Sequence, residues 1–171
     1  IDQYGNLVVL STRNFRSSKQ EDYPHLHESF NKSRYLFGLH VTKQSIIRQG
    51  SAVVVEGQFD TMCLFSHGVT NVVAALGTSF SFEHICILSR YCSIFYLLFD
   101  NDKAGRDCLA RAKKMYLSKM MDRFGVRFVA VNLPEKTDPD EFIMTRGKGA
   151  FTEMLADADK NNSIEFEPIN A

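Results

Sequence analysis

Four short apolar runs, rich in β-branched and aromatic residues, limit most strongly what this chain can fold into: 52–55 (AVVV), 71–75 (NVVAA), 94–99 (IFYLLF) and 126–131 (VRFVAV). None keeps a strict apolar–polar alternation. A strand with water on one face keeps it; a strand covered by helices on both faces does not. The segments between the runs carry helical signals. Residues 41–49 stop at Gly50, and 58–66 stop at His67–Gly68, where Gly68 suits the left-handed closing position. Residues 81–91 begin at Ser81, a good N-cap, and turn Ile85, Ile87 and Leu88 inward. Residues 103–122 read as a long helix, with Lys103, Arg106 and Lys113 on one side and Leu109, Ala112, Tyr116 and Met120 as its apolar stripe. Residues 140–146 and 149–157 read as two short helices split by Gly147, and the polar tail from Asp157 is expected to fray. Residues 7–10 (LVVL) add a short strand. Strands and helices in alternation predict an α/β fold with a mostly parallel central sheet flanked by helices.

Two of the apolar runs end in carboxylates. VVVEGQFD (53–60) leads into Glu56, Gly57 and Asp60, and FYLLFDNDKAGRD (95–107) leads into Asp100 and Asp102. In open parallel sheets, ligands bind beyond the C-terminal ends of the strands, and Glu56 and Asp100 both occupy that position. Gathered carboxylates raise one another's pKa unless a cation neutralises them, and magnesium is the hard cation that oxygen ligands suit. Asp100 and Asp102 are two residues apart and share a side if extended. Gly57 permits close approach beside Glu56, and Lys103 and Arg106 follow where phosphate oxygens could be held. Each acid alone has a plain structural use: Asp102 as the N-cap of the next helix, Asp60 as a helix acid. Spacing by itself stops at a candidate cation site.

The formal net charge is zero, so no global basic field points to a polyanion. Charge is nevertheless segregated. Lys103–Arg127 holds eight Lys or Arg against two Asp, residues 11–50 hold seven bases against three acids, and Glu135–Ala171 holds nine acids against four bases. Two segments could therefore face a polyanion. Cys63, Cys86, Cys92 and Cys108 form no C-x-x-C pair, so no zinc is expected, and buried, reduced thiols of a cytoplasmic protein are. No apolar run approaches the ~20 residues that span a bilayer, and no membrane partner is expected. The chain begins at Ile1 rather than Met, which leads us to expect a fragment of something longer.

EGQFD, AALGTSFS, FDNDKAGRDCLARA and TDPDEFI resemble, in order and spacing, the toprim core of bacterial and phage DnaG-type DNA primases, their RNA polymerase (catalytic) domain. The resemblance spans about residues 23–157 of the sequence. It implies a toprim fold, with 1–50 the end of a basic N-terminal lobe, 51–133 the toprim core and 134–171 an acidic loop, helices and tail. It also implies roles. Glu56 matches the toprim glutamate, as metal ligand or proton-transfer group, and Asp100 and Asp102 match the paired metal-binding aspartates, these three being the catalytic set. Asp60 matches the second acid of that motif, and Asp138 and Asp140 match a later Asp-Pro-Asp that joins the acidic cluster. From the residues alone, Asp138–Pro139 is equally a turn and helix start. Gly77 and Thr78 match a loop beside the metals, although Gly77 alone would be an ordinary turn glycine, and with Gly57 they are the expected nucleotide-contacting positions of the turns. Lys32, in YPHLHESFNKSRYLFGL, and Arg13, after the first strand, match basic residues that contact nucleotide or template, although each could be an ordinary surface base. His25 and His27 stand where that family has other residues, and read as loop histidines rather than a metal pair.

The function this resemblance implies is synthesis of short RNA primers on single-stranded DNA, by nucleotidyl transfer dependent on magnesium, with manganese able to substitute. The expected partners are the single-stranded template, ribonucleoside triphosphates and, through regions outside this chain, a replicative helicase. The chain alone is expected to bind metal and nucleotides but to prime poorly. Two rival readings are a toprim nuclease or topoisomerase fragment, and a non-catalytic toprim module that binds DNA. Lys-Ala-Gly-Arg after Asp102 is similar to the primases rather than to type IA topoisomerases.

Overall fold

The structure, a computed structural model, describes residues 1–8, 31–76, 80–99, 103–116, 124–134 and 137–161. A single 3-10 turn, Lys32–Arg34, precedes helix α1 (Leu39–Gln49), and then come β1 (Ser51–Val55), α2 (Gln58–Ser66), β2 (Val72–Ala74), α3 (Phe82–Leu88), β3 (Ile94–Leu97), α4 (Lys103–Tyr116), β4 (Arg127–Ala130) and α5 (Pro139–Asn161). The four strands form one parallel sheet in the order β2-β1-β3-β4. Among the described residues no helix is long and apolar enough to cross a membrane.

The unbroken apolar strands have a direct cause: each strand feeds two cores. On one face Ala52 and Val54 of β1, Phe95 and Leu97 of β3 and Phe128 of β4 pack with Leu39 and Ile46 of α1, Ile85 and Leu88 of α3, and Cys108 and Ala112 of α4. On the other, Val53, Val55, Val72, Ala74 and Val129 pack with Leu64 of α2 and Phe142, Ile143 and Phe151 of α5. Successive strand residues point to opposite faces, so helices on both sides demand an apolar residue at every position. Each large side chain buried this way contributes about 1.5–3 kcal/mol. Phe80, Phe95 and Phe128 meet ring to ring, with centroids 5.6–6.2 Å apart.

The helices differ from the sequence expectation mainly at their ends. Helix α1 starts two residues earlier, at Leu39, with Gly38 as its N-cap. Helix α3 is shorter, Phe82–Leu88, and it is His84 that joins Ile85 and Leu88 in full burial, while Ile87 is only half-buried. Helix α4 is described to Tyr116; Met120 lies outside the described residues. Helix α2 closes as expected, Gly68 N–H donating to the Phe65 carbonyl and Val69 N–H to that of Leu64. Gly147 (φ 75°, ψ 173°) does break α5 into two stretches. The break lets Phe142 and Phe151 reach the same core, 6.3 Å apart. Of the tail expected to fray from Asp157, residues 157–161 are helical, since α5 runs to Asn161, and the rest lies outside the described residues. Ala158 is buried there, and Asp159 pairs with Arg127 of β4 at 2.5 Å. Residues 7 and 8 form no strand, and Val9 and Leu10 lie outside the described residues. All four cysteines are free, but only Cys92 and Cys108 are buried, Cys63 and Cys86 being half-buried.

The segment before α1 is fastened to the sheet at two places. Phe37 pairs with Ala74 across the outer edge of β2 in a single antiparallel bridge. His84, fully buried, bonds through Nε2 to the carbonyls of Lys32 and Tyr35 at 3.1 and 3.0 Å.

This packing makes the effect of two substitutions measurable. Gly147→Ala puts a side chain into a backbone region that glycine alone occupies freely and should cost about 1–3 kcal/mol in urea denaturation. His84 is held below the ordinary histidine range, burial being the largest cause, partly opposed by the Lys32 and Tyr35 carbonyls and by Glu83. The unfolded chain therefore binds a proton that the folded chain refuses. Stability is full above ~6.5 and falls as pH drops through that value toward the depressed folded pKa. His84→Gln should make that acid limb of the stability curve shallower.

Candidate active site

Strand β1 ends at Val55, and Glu56 follows, half-buried at the C-terminal edge of the sheet. The chain then turns sharply. Gly57 is the N-cap of α2 in an extended conformation, and its N–H donates to Asp60 Oδ2 at 3.1 Å. Thr61 closes the turn from the other side, its hydroxyl donating to the Gly57 carbonyl at 3.2 Å. Asp60 thus satisfies one of the helix's unpaired first-turn donors, and its charge suits the positive end of the helix dipole. A Cβ at Gly57 would stand 2.6 Å from Asp60 Oδ2, so a larger residue there would push that carboxylate off its cap.

Strand β3 lies beside β1, with Val54 opposite Leu97 and the Leu98 N–H bonded to the Val54 carbonyl at 2.9 Å. Phe99 is therefore the last described residue of a segment running alongside Val55 and Glu56, and α4 begins at Lys103. Cys108, one turn into α4, ties this corner together. It accepts the N–H of Phe80 at 3.4 Å. Its thiol is pushed up chiefly by burial and, in smaller part, by the Glu56 charge, against the Phe80 hydrogen bond. A neutral thiol donates poorly to a metal, so Cys108 belongs to the wall of the site. Arg106 is exposed on α4 and lines a small cleft with Leu97, Phe99, Asn132 and Leu133, at the same edge of the sheet.

A second acidic group forms where α2 meets α5. Cys63 Sγ donates to the Asp140 carbonyl at 3.8 Å. Its thiol is pushed up by burial first, then by Asp140 and Asp60. Both charges thus act on one sulfur in the same direction. Asp140 Oδ1 accepts the Glu141 N–H at 2.7 Å, while the Asp138 carbonyl accepts the Phe142 N–H at 2.9 Å, opening α5. The helix-start role read from Asp138–Pro139 is real, and it places Asp140 in the first turn of α5.

The sequence-predicted residues divide accordingly. Glu56, Gly57 and Arg106 sit at the C-terminal edge of the sheet, with Asp60 and Asp140 around Cys63 on the α2–α5 side. Lys32 is half-buried in its 3-10 turn, with its carbonyl held by His84. Asp100, Asp102, Gly77, Thr78 and Arg13 lie outside the described residues, as does the side chain of Lys103. Among the described residues no group of three or more His, Cys, Asp or Glu is arranged to hold a metal ion. The chemistry of the described donors still suits a hard divalent cation: they are carboxylate oxygens, and the neighbouring sulfurs are protonated. Sequence reasoning missed Cys108 and His84. A signal for His84 existed, since it stands three residues after the N-cap Ser81, where a side chain can reach back to the cap N–H.

A three-layer α/β/α sheet with a glutamate closing the central β1 and a glycine-pinned turn behind it defines a class. The family described as Toprim-like matches residues 53–143, and the chain belongs to that family. Within it, the chain is similar to DNA primases. It is 39% identical over 156 residues to the DNA primase of Aquifex aeolicus (strain VF5), a match covering 90% of this chain and 30% of that protein. It superposes on the solved Aquifex aeolicus primase, zinc-binding and RNA polymerase domains, with a TM-score of 0.79 at 36% identity, over 91% of this chain and 38% of that one. A DnaG primase catalytic domain bound to single-stranded DNA matches with a TM-score of 0.71 at 32% identity, over 82% of this chain and 46% of that one. The chain therefore spans less than half the length of these relatives, and its sheet and flanking helices are the toprim fold of primase cores.

The Gly57–Asp60 turn is open to a direct test. Gly57→Ala must displace the Asp60 carboxylate, and the lost cap should cost about 1 kcal/mol in chemical denaturation. Asp60→Asn, which keeps an oxygen acceptor, should cost less than Asp60→Ala.

Proposed function

We propose that this chain is the nucleotidyl-transfer core of a DNA primase, acting in the bacterial cytoplasm and joining ribonucleotides on a single-stranded DNA template. The observation that carries this reading is the pairing of β1 with β3. Strand β1, which leads to Glu56, and β3, which precedes Asp100 in the sequence, are hydrogen-bonded neighbours running in parallel, and their C-terminal ends form the edge where ligands of such sheets bind.

In this reading Glu56, Asp100 and Asp102 hold divalent cations, magnesium in the first instance, and Asp60, Asp138 and Asp140 extend the acidic rim. When bound, the cations supply charge stabilisation of an in-line phosphoryl displacement. The chain's own residues bind and orient. Lys32, Lys103, Arg106 and Arg13 attract and align phosphate oxygens of triphosphate and template. Gly57 and Gly77, lacking a Cβ, suit close approach of backbone to phosphate, and Thr78 adds a hydroxyl donor for a phosphate oxygen. The packing of Cys108 against Phe80 fixes the α4 start, and with it Arg106, against the sheet.

Primer extension with labelled ribonucleotides, a single-stranded template and magnesium or manganese tests the reading. Product should be slow to form but metal-dependent, and Glu56→Gln or Asp100→Asn should lower it by about a hundredfold or more. Nicking of plasmid without nucleotides would favour the nuclease reading instead. DNA binding with no metal-dependent synthesis, unchanged by Asp100→Ala and Asp102→Ala, would favour a binding module.

A further inference from the structure

The 3-10 turn that carries Lys32 is attached to the sheet domain by a polar clamp at the start of α3. His84 Nδ1 accepts the Ser81 N–H at 3.2 Å. A backbone N–H can only donate, so Nδ1 is the bare nitrogen and the proton sits on Nε2. That proton faces the carbonyls of Lys32 and Tyr35, at 3.1 and 3.0 Å. The Ser81 hydroxyl accepts the His84 N–H at 3.1 Å and donates to the Ser33 carbonyl at 2.9 Å. Two side chains of one helix start therefore hold three carbonyls of the Lys32–Tyr35 segment. His84 is fully buried, and Phe80 stacks on its ring at 5.8 Å and 27°. The same Phe80 bonds Cys108 through its N–H, so the clamp and the corner beside Glu56 share a residue.

We propose that His84, assisted by Ser81, is a positioning residue for Lys32: its Nε2–H fixes the Lys32 backbone so that the ammonium group meets a phosphate of the bound nucleotide or template. This rests on the proposed phosphate-handling role of Lys32. The arrangement fits positioning better than plain packing. An apolar residue would fill the same space, but only a fixed donor can serve two carbonyls at once, and a buried imidazole without partners is costly. The Lys32 side chain spends rotamer freedom to reach a phosphate, and a fixed backbone reduces that loss.

The test uses the 171-residue chain. Nitrogen–proton correlation NMR should show His84 as the neutral Nε2–H tautomer. Amide exchange at Tyr35 should quicken in His84→Leu but not in Lys32→Ala. Affinities are then measured for ATP with manganese and for a short single-stranded oligodeoxynucleotide. Lys32→Ala should weaken one of them by about tenfold, and the probe that responds identifies the phosphate. His84→Leu should weaken the same probe to a similar degree, the double variant should be no weaker than Lys32→Ala alone, and His84→Gln, which keeps a donor near the Nε2 position, should recover most of the affinity. Ser81→Ala, which removes only the Ser33 bond and the cap, gives a milder version if His84→Leu does not fold. Lys32→Ala binding both probes normally would remove the phosphate role and the inference with it. A weakened Lys32→Ala beside normal His84→Leu and Ser81→Ala would overturn the positioning alone, as would unchanged exchange at Tyr35.

Discussion

The parallel pairing of β1 with β3 is the interaction on which the rest of the molecule depends. It brings together strands that are not consecutive in the chain, and a parallel pair can be reached only by a long crossover. Helix α2, β2 and α3 form that crossover. Once the pair is made, β2 has one open side of β1 and β4 one open side of β3, giving the order β2-β1-β3-β4. Both faces of the central pair must then be covered, and α1, α3 and α4 take one face while α2 and α5 take the other. The same pairing brings the C-terminal end of β1, with Glu56, beside the C-terminal end of β3.

The surroundings of the site are built from groups that serve the fold as well. Asp60 caps α2, which holds its carboxylate at one place. Asp140 lies in the first turn of α5, where a negative charge is favoured by the helix dipole. Cys108 anchors α4 to Phe80 while lying within the field of Glu56. Acids gathered at a surface repel one another, and fastening them with hydrogen bonds from backbone amides offsets part of that repulsion.

Much of this was legible in the sequence because it rests on local rules. The four apolar runs marked the strands, since two buried faces forbid alternation. Gly68 and Gly147 marked chain reversals that only a residue without Cβ enters freely. Ser81 marked the start of α3. Where the sequence misled, a distant contact was responsible. The end of α5 reads as a polar tail, yet Arg127, 32 residues away, holds Asp159. Ile87 does pack against the core, half-buried, but His84 takes a deeper position that its chemistry does not announce, because the carbonyls of Lys32 and Tyr35 are there to satisfy it.

The sequence by itself determined the class of fold, because strand burial, glycine turns and helix caps act over a few residues. Only the tertiary structure decided which strands are neighbours and which carbonyls the buried His84 meets. These depend on segments tens of residues apart meeting in space. No local pattern encodes a partner at that distance, and a hydrogen bond between His84 and the Lys32 carbonyl exists only once both cores have closed.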